Sequence, residues 1–82
     1  MTARVLIVDD HASFRSLARR LLVAEGFDVV GEAGDAADAF EAVRALAPDV
    51  VLLDIRLPDL DGFGVAEVLA GRDAAPTVVL VS

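Results

Sequence analysis

Residues 5–10, VLIVDD, decide the fold class of this chain. Four consecutive apolar residues, three of them β-branched, are typical of a strand that is buried on both faces. Residues 50–54, VVLLD, repeat this pattern, and residues 77–81 form a further apolar run directly after Pro76. Strands of this kind occur in parallel sheets that helices cover on both faces. The sequence therefore predicts an α/β fold.

The segments between these strands have the periodicity of helices. Residues 12–25 carry apolar side chains at i, i+3, i+4, i+7 and i+8, which mark one face of a helix: Phe14, Leu17, Ala18, Leu21 and Leu22. Residues 36–47 predict a second helix, with Asp35 as its N-cap, and residues 62–71 predict a third. Residues 27–33 predict a strand that Gly31 weakens. The order is β-α-β-α-β-α-β, with right-handed crossovers expected.

Composition and charge limit the classes of protein that this chain can belong to. Its 82 residues correspond to one domain or a part of one, since domains commonly have about 100–150 residues. The net charge of −7 argues against direct nucleic-acid binding, which needs a basic surface. The sequence has no cysteine, no signal peptide and no apolar run long enough for a membrane. We expect a cytoplasmic location without membrane contact. The four phenylalanines are expected to pack in the core or on a helix face: Phe14, Phe27, Phe40 and Phe63.

Three carboxylates are predicted to meet at one edge of the sheet. Asp9 and Asp10 follow the first strand and Asp54 follows the third. Neighbouring strands lie about 4.8 Å apart, and ligands bind outside the carboxyl ends of parallel strands. Two carboxylates about 4 Å apart repel by about 4 kcal/mol at an effective dielectric constant of about 20. A proton or a divalent cation such as Mg²⁺ or Mn²⁺ is therefore expected among them.

Residues 54–62, DIRLPDLDG, resemble the D-x-x-[ML]-P-x-x-[DS]-G signature of CheY-like receiver domains. Residues 5–10 resemble the first strand and acidic pair of that family, and residues 78–82, VVLVS, its fourth strand with a terminal serine. The resemblance implies a flavodoxin-like doubly wound parallel sheet with strand order 2-1-3-4. It also implies a response-regulator receiver module of a bacterial two-component phosphorelay.

The resemblance implies a role for each matching residue. Asp54 would accept a phosphoryl group from a phosphohistidine of a sensor histidine kinase. Asp10 and Asp54 would bind Mg²⁺, or Mn²⁺, through their carboxylates, and Asp9 would assist through water. Arg56 would contribute its backbone carbonyl to the metal. Ser82 would hydrogen-bond a phosphoryl oxygen and act as a switch that reports phosphorylation.

The resemblance covers the N-terminal two-thirds of a receiver domain, so we expect residues 1–82 to be incomplete at the C-terminus. The family pattern continues with a fourth helix, a fifth strand that carries a lysine, and a fifth helix, whereas this sequence has no lysine. Residues 77–81 should then form an exposed apolar edge, and one sheet face should be half covered. We expect instability, or a homodimer through the fourth-strand edge. Residues 9–15, DDHASFR, resemble regulators whose helix-turn-helix output domain binds DNA.

Two other functions remain open from the sequence. The chain could be a non-catalytic interaction or dimerisation fragment of a receiver domain, with a vestigial acidic site. It could also be a hydrolase with Asp54 as nucleophile, although Arg56 stands where such phosphatases carry a second aspartate. We expect no enzyme activity beyond self-catalysed phosphotransfer. His11, the only histidine, is interpreted as a loop or helix-start residue rather than a metal ligand.

Overall fold

The structure, a computed structural model, describes residues 2–82, which form four strands and three helices in alternation. In chain order these are β1 (Arg4–Val8), α1 (Ala12–Ala24), β2 (Asp28–Ala33), α2 (Ala36–Leu46), β3 (Val50–Asp54), α3 (Gly62–Ala70) and β4 (Thr77–Val81). Every predicted element is present, and the predicted bounds differ from these by at most one residue. Within residues 2–82, no helix has the length and apolar character that crossing a bilayer requires.

The four strands form one parallel sheet in the order β2-β1-β3-β4, as predicted. Strand β1 pairs with both β2 and β3, and the register places Val8 opposite Leu53. The chain therefore leaves β1 and β3 at neighbouring points on the carboxyl edge of the sheet. This register brings the residues that follow Val8 close to Asp54.

Alternate residues of β1 enter two separate cores, which explains its unbroken apolar sequence. Leu6 and Val8 pack with α2 and α3, in a cluster that includes Val43 and Leu69. Val5 and Ile7 face the other way and pack beneath α1, in a second cluster with Ala18. The larger core lies between the sheet and the pair α2 and α3, so this face of the sheet is the better covered.

The α1 face of the molecule leaves apolar side chains in solvent. Leu17 and Leu21 are 46% and 59% exposed, and their helix borders an apolar groove on the sheet. The residues that line this groove are Phe14, Leu17, Ala18, Leu21, Leu22, Leu52 and Val81. The expected apolar patch on a half-covered sheet is confirmed, because α1 alone packs on this face of the sheet among residues 2–82.

The expectation that all phenylalanines are packed is wrong for Phe63 and Phe27, which are 60% and 40% exposed. In α3 the buried residues are Gly62, Val65 and Leu69, which share one helix face at i, i+3 and i+7. Phe63 is one position away from this face and therefore points outward.

Gly31 marks a β-bulge and does not end β2. Val5 pairs with Val29, whereas the next residue, Leu6, pairs with Gly31, so β2 carries one extra residue at this point. A Cβ atom on Gly31 would lie 2.8 Å from Cδ1 of Leu46. The glycine thus lets the last residue of α2 pack against the strand, and β2 continues to Ala33.

Candidate functional site

An acidic cluster lies at the carboxyl edge of the sheet, where β1 and β3 end. Asp9 and Asp10 follow β1 directly, and Asp54 is the last residue of β3. One potential ligand atom from each of Asp9, Asp10, His11 and Asp54 lies within 4.8 Å of the others. The three carboxylates that the sequence placed at this edge are therefore together, and an imidazole has joined them.

The two carboxylates of the acidic pair differ in exposure and in hydrogen bonding. Asp9 is buried, and its Oδ1 accepts hydrogen bonds from the backbone N–H of His11 at 2.8 Å and from His11 Nδ1 at 3.0 Å. Asp10 is exposed, and its Oδ1 lies 2.9 Å from the same Nδ1. Asp9 is thus held within the fold, while Asp10 faces the solvent side of the cluster.

His11 is the N-cap residue of α1, as its interpretation as a helix-start residue implies, but its ring does not cap the helix. The ring turns back to the acidic pair instead. The hydrogen bond to Asp9, together with the charge of Asp10, raises the pKa of His11 above its usual value, and partial desolvation opposes this rise. The signal in the sequence was the position of the only histidine directly after two aspartates.

Arg15 is a site residue that sequence reasoning missed. Its Nη1 donates a hydrogen bond to the backbone carbonyl of Asp9 at 2.6 Å, and its Nε donates to Glu32 on β2 at 3.2 Å. Arg19 binds the other carboxylate oxygen of Glu32 at 2.6 Å. Arg15 therefore fixes the turn between β1 and α1 that presents Asp9. Arg15 is not among the apolar residues that mark the helix face, and periodicity does not show which polar residues reach a neighbouring strand.

The loop between β3 and α3 holds Asp54 through backbone contacts. Oδ1 of Asp54 accepts a hydrogen bond from the backbone N–H of Arg56 at 3.0 Å. The N–H of Gly62 donates to the carbonyl of Ile55 at 2.6 Å, which closes the loop on itself. Asp61 then caps α3 by accepting a hydrogen bond from the N–H of Gly64 at 2.8 Å. The conformation of the loop thus fixes one oxygen of the Asp54 carboxylate.

Asp59 ties the same loop to α2. Its two carboxylate oxygens accept hydrogen bonds from the backbone N–H groups of Ala36 at 2.8 Å and Ala37 at 3.1 Å, in the first turn of α2. The bond from Ala36 lowers the pKa of Asp59 most, against a smaller opposing effect of desolvation, and the bond from Ala37 lowers it further. A carboxylate is favoured there because the N-terminus of a helix carries unpaired N–H groups and partial positive charge.

A pocket of about 440 Å³ opens over the cluster. It is lined by Asp9, His11, Phe14, Asp54, Ile55, Arg56, Val81 and Ser82. Ser82 reaches it because the preceding residue, Val81, pairs with Asp54 across β3 and β4. Carboxylate oxygens that converge in an open, solvated pocket are the donor set that suits Mg²⁺ or Mn²⁺. The site can hold a divalent cation and has room for a small anionic group beside it.

The fold and this acidic pocket define a signalling domain of a known class. The chain belongs to the response regulator receiver domain family, whose match covers residues 5–82. Among solved structures, the response regulator domain of CheB from Thermotoga maritima is 36% identical with a TM-score of 0.90, covering 100% of this chain and 61% of that chain. The signal receiver domain of the response regulator NarL from Mycobacterium tuberculosis is 42% identical with a TM-score of 0.90, covering 96% and 64%.

Curated relatives include longer regulatory proteins. Protein-glutamate methylesterase/protein-glutamine glutaminase 5 of Myxococcus xanthus is 54% identical over 80 residues, which are 96% of this chain and 23% of that protein. The DNA-binding response regulator MtrA of Mycobacterium leprae is 43% identical over 82 residues, 100% of this chain and 36% of that protein. The chain thus spans well under half of these relatives, which include transcriptional regulators. The predicted resemblance to two-component receiver domains is confirmed.

Proposed function

We propose that residues 1–82 act as the phosphoacceptor part of a receiver domain, with Asp54 receiving a phosphoryl group from a phosphohistidine of a sensor histidine kinase. The observation that carries the proposal is the position of Asp54, at the end of β3 and within 4.8 Å of the acidic pair, in a chain of the receiver family. The proposal places the domain in the cytoplasm and upstream of an output domain. A DNA-binding output domain is one example, since the relatives of this chain include DNA-binding response regulators.

The donor atoms in the pocket fit a bound Mg²⁺ or Mn²⁺. Asp10 and Asp54 would hold the ion through carboxylate oxygens, Arg56 through its backbone carbonyl, and Asp9 through water. When bound, the ion supplies positive charge that offsets the charge of the carboxylates and of the phosphoryl oxygens. His11 holds the carboxylate of Asp9 and Arg15 holds its backbone carbonyl, so the position of Asp9 in the pocket is constrained.

Asp54 supplies the nucleophile. Its Oδ1 is engaged by the N–H of Arg56, which leaves Oδ2 to attack the phosphorus atom. One O–P bond forms, the P–N bond to the kinase imidazole breaks, and the electron pair of that bond stays on the imidazole nitrogen. The product is an acyl phosphate on Asp54. The hydroxyl of Ser82, at the rim of the pocket, would donate a hydrogen bond to a phosphoryl oxygen and transmit the change to the chain beyond it.

Mass spectrometry of the intact chain tests this proposal. The chain is incubated with acetyl phosphate, with and without Mg²⁺, as the wild type, as Asp54→Asn and as Asp28→Asn. Asp28 is an exposed aspartate at the start of β2, at the opposite end of the sheet, and serves as the matched control. We expect a single phosphoryl adduct, dependent on Mg²⁺, on the wild type and on Asp28→Asn, and no adduct on Asp54→Asn.

Two results would contradict this assignment. An adduct that persists on Asp54→Asn would place the acceptor elsewhere. Sustained release of phosphate from an ester, without a stoichiometric adduct, would favour the hydrolase function instead.

A second candidate function is self-association without phosphotransfer. Strand β4 lies at the edge of the sheet with Val79 and Leu80 exposed by 45% and 37%. An exposed apolar edge strand is a template for pairing with another strand. The partner proposed for this edge is a second copy of the chain, which would place two β4 strands side by side.

A further inference from the structure

We propose that Arg15 and Glu32 are positioning residues for the metal site: Glu32 orients the guanidinium of Arg15, which in turn holds the main chain of Asp9. Neither side chain is assigned to the cation itself, and both act through the turn between β1 and α1. Both roles rest on the proposed function, because they concern the affinity of the acidic cluster for Mg²⁺. They extend the site from the end of β1 to the neighbouring strand β2.

The main chain of Asp9 lies where the hydrogen-bond ladder between β1 and β2 ends. The last register pair is Val8 with Ala33, and the N–H of Asp9 donates to the carbonyl of Ala33 at 3.0 Å. The carbonyl of Asp9 lies beyond that pair and accepts a hydrogen bond from Nη1 of Arg15 at 2.6 Å. Because Asp9 is buried, its carbonyl depends on a partner within the protein. The arginine thus takes the place that a strand N–H would have in a longer ladder.

Glu32 determines where the guanidinium of Arg15 lies. Oε1 of Glu32 accepts a hydrogen bond from Nε of Arg15 at 3.2 Å, and Glu32 directly precedes Ala33 on β2. The side chains of Arg15 and Glu32 are 22% and 28% exposed, so the pair is partly shielded from solvent. The donors of a guanidinium form a rigid, planar fork, so a carboxylate at Nε fixes the direction of Nη1. Two adjacent residues of β2 therefore hold Asp9, one directly and one through Arg15.

These contacts affect the metal site because the acidic cluster is built on the same turn. Oδ1 of Asp9 accepts a hydrogen bond from the N–H of His11 at 2.8 Å, and Asp10 lies between the two residues in the chain. A shift of the Asp9 main chain would therefore move Asp10, which is proposed as a direct ligand, relative to Asp54. Partners that orient metal ligands commonly contribute about 10–100-fold to metal affinity. Loss of the guanidinium should thus weaken binding of the cation.

Calorimetric titration with Mg²⁺ tests these roles on the wild type, Arg15→Gln and the matched control Arg19→Gln. Nε of Arg19 donates to Oε2 of Glu32 at 2.6 Å, and within residues 2–82 its side chain makes no hydrogen bond to Asp9. Arg19→Gln therefore removes an ion pair with Glu32, as Arg15→Gln does, but leaves the main chain of Asp9 untouched. We expect Arg15→Gln to bind Mg²⁺ about tenfold or more weakly than the wild type. Arg19→Gln should stay within about twofold of the wild type, because a half-exposed ion pair contributes little.

Glu32→Ala, alone and combined with Arg15→Gln, tests the order in which the two residues act. If Glu32 acts through Arg15, Glu32→Ala alone should weaken Mg²⁺ binding. The combined variant should then bind Mg²⁺ about as weakly as Arg15→Gln, because losses within one network do not add. Losses that add in full would show that Glu32 does not orient Arg15 and would overturn its role.

Amide hydrogen exchange of the metal-free chain gives a readout that needs neither the cation nor phosphoryl transfer. The N–H of His11 donates to the carboxylate of Asp9, so its exchange rate reports opening of the turn. We expect faster exchange at this amide in Arg15→Gln than in the wild type and in Arg19→Gln. Equal exchange rates, or equal Mg²⁺ affinities, in the two arginine variants would overturn the inference. If Arg15→Gln alone loses Mg²⁺ affinity but the wild type forms no phosphoryl adduct, phosphoacceptance is contradicted and the positioning roles are supported.

Discussion

Gly62, the first residue of α3, lies against the backbone of Asp54 and Ile55. A Cβ atom added there would be 2.5 Å from the carbonyl oxygen of Asp54 and 2.7 Å from Cα of Ile55. Both are backbone atoms and cannot rotate away, so Gly62→Ala must shift the loop or the helix. We expect a loss of about 1–3 kcal/mol in the free energy of unfolding, measured by urea denaturation, because overpacking of this kind has that cost.

Gly71→Ala is the matched control for Gly62→Ala. Gly71 ends α3 with φ of −82°, and an added Cβ would make only an ordinary contact of 3.6 Å with the carbonyl oxygen of Val68. This substitution should be neutral or stabilise the protein by about 0.4–1 kcal/mol, through the lower entropy of the unfolded chain. Equal losses in the two variants would show that close backbone contact is not the reason for glycine at position 62.

The position of Gly62 could be predicted from the sequence, but the physical reason for a glycine at this position could not. The resemblance of residues 54–62 to the receiver signature places a glycine at position 62 but gives no reason for it. In the structure its backbone conformation is not the left-handed one that favours glycine, and the requirement is space next to Asp54 and Ile55. Contact between two backbones depends on the packing of α3 against β3, which the local sequence does not specify.

At the scale of elements, Asp59 connects the β3–α3 loop to the first turn of α2, and this connection should depend on pH. The folded protein lowers the pKa of Asp59 below its ordinary value of 3.8, so the ionised carboxylate stabilises the fold. This stability is fully present above the unfolded pKa and is lost as the pH falls through the lower folded pKa. Asp59→Asn should therefore lower the urea midpoint at pH 7, and the difference from wild type should shrink below about pH 4.

Far-UV circular dichroism during urea unfolding at pH 7 and about pH 3 measures this difference. Asp73→Asn, at an exposed aspartate in the turn between α3 and β4, provides the control and should follow the wild type at both values. A midpoint difference for Asp59→Asn that is the same at both pH values would show that the charge of the carboxylate has no part in joining the loop to α2.

The order and bounds of the elements could be predicted because their signals are local. Apolar runs mark β1 and β3, and periodicity marks α1. A capping residue marks the start of α2, where Asp35 accepts a hydrogen bond from the N–H of Asp38 at 2.8 Å, as predicted. The second cap of α2, by Asp59, was not predicted, since it joins residues that are 23 positions apart. The bulge at Gly31 likewise depends on packing against Leu46, at the far end of α2.

At the scale of the whole molecule, the half-covered sheet and the β4 edge should favour self-association. If two β4 strands pair, the mass measured by size-exclusion chromatography with light scattering should rise with concentration. Val79→Lys places a charge on the exposed edge and should weaken the association about tenfold or more, because like charges then face each other across the interface. Val23→Lys, at a valine of α1 that is 55% exposed, is the matched control.

The two variants separate pairing through the edge from general apolar association. If Val23→Lys disrupts the oligomer as strongly as Val79→Lys, then the contact does not run through β4. A stable, well-folded monomer of the wild type at every concentration would remove self-association as a function of this chain.

The sequence by itself determined the α/β class, the succession of elements, the receiver family and the meeting of three aspartates at one sheet edge. These follow from local signals, because hydrophobic period and turn chemistry depend on neighbours in the chain, and from one general rule, that ligands bind at the carboxyl ends of parallel strands. The resemblance of residues 54–62 to the receiver signature needed no structure either, and the family match bears it out.

Only the tertiary structure decided which groups surround those aspartates. It turned the ring of His11 onto Asp9 and Asp10, brought Arg15 to the carbonyl of Asp9, and placed Asp59 on α2. It also left Leu21 in solvent although the residue belongs to an apolar helix face. The physical reason is common to all four. Rotamers and contacts between elements depend on how helices pack on the sheet, and that packing is a property of the whole chain.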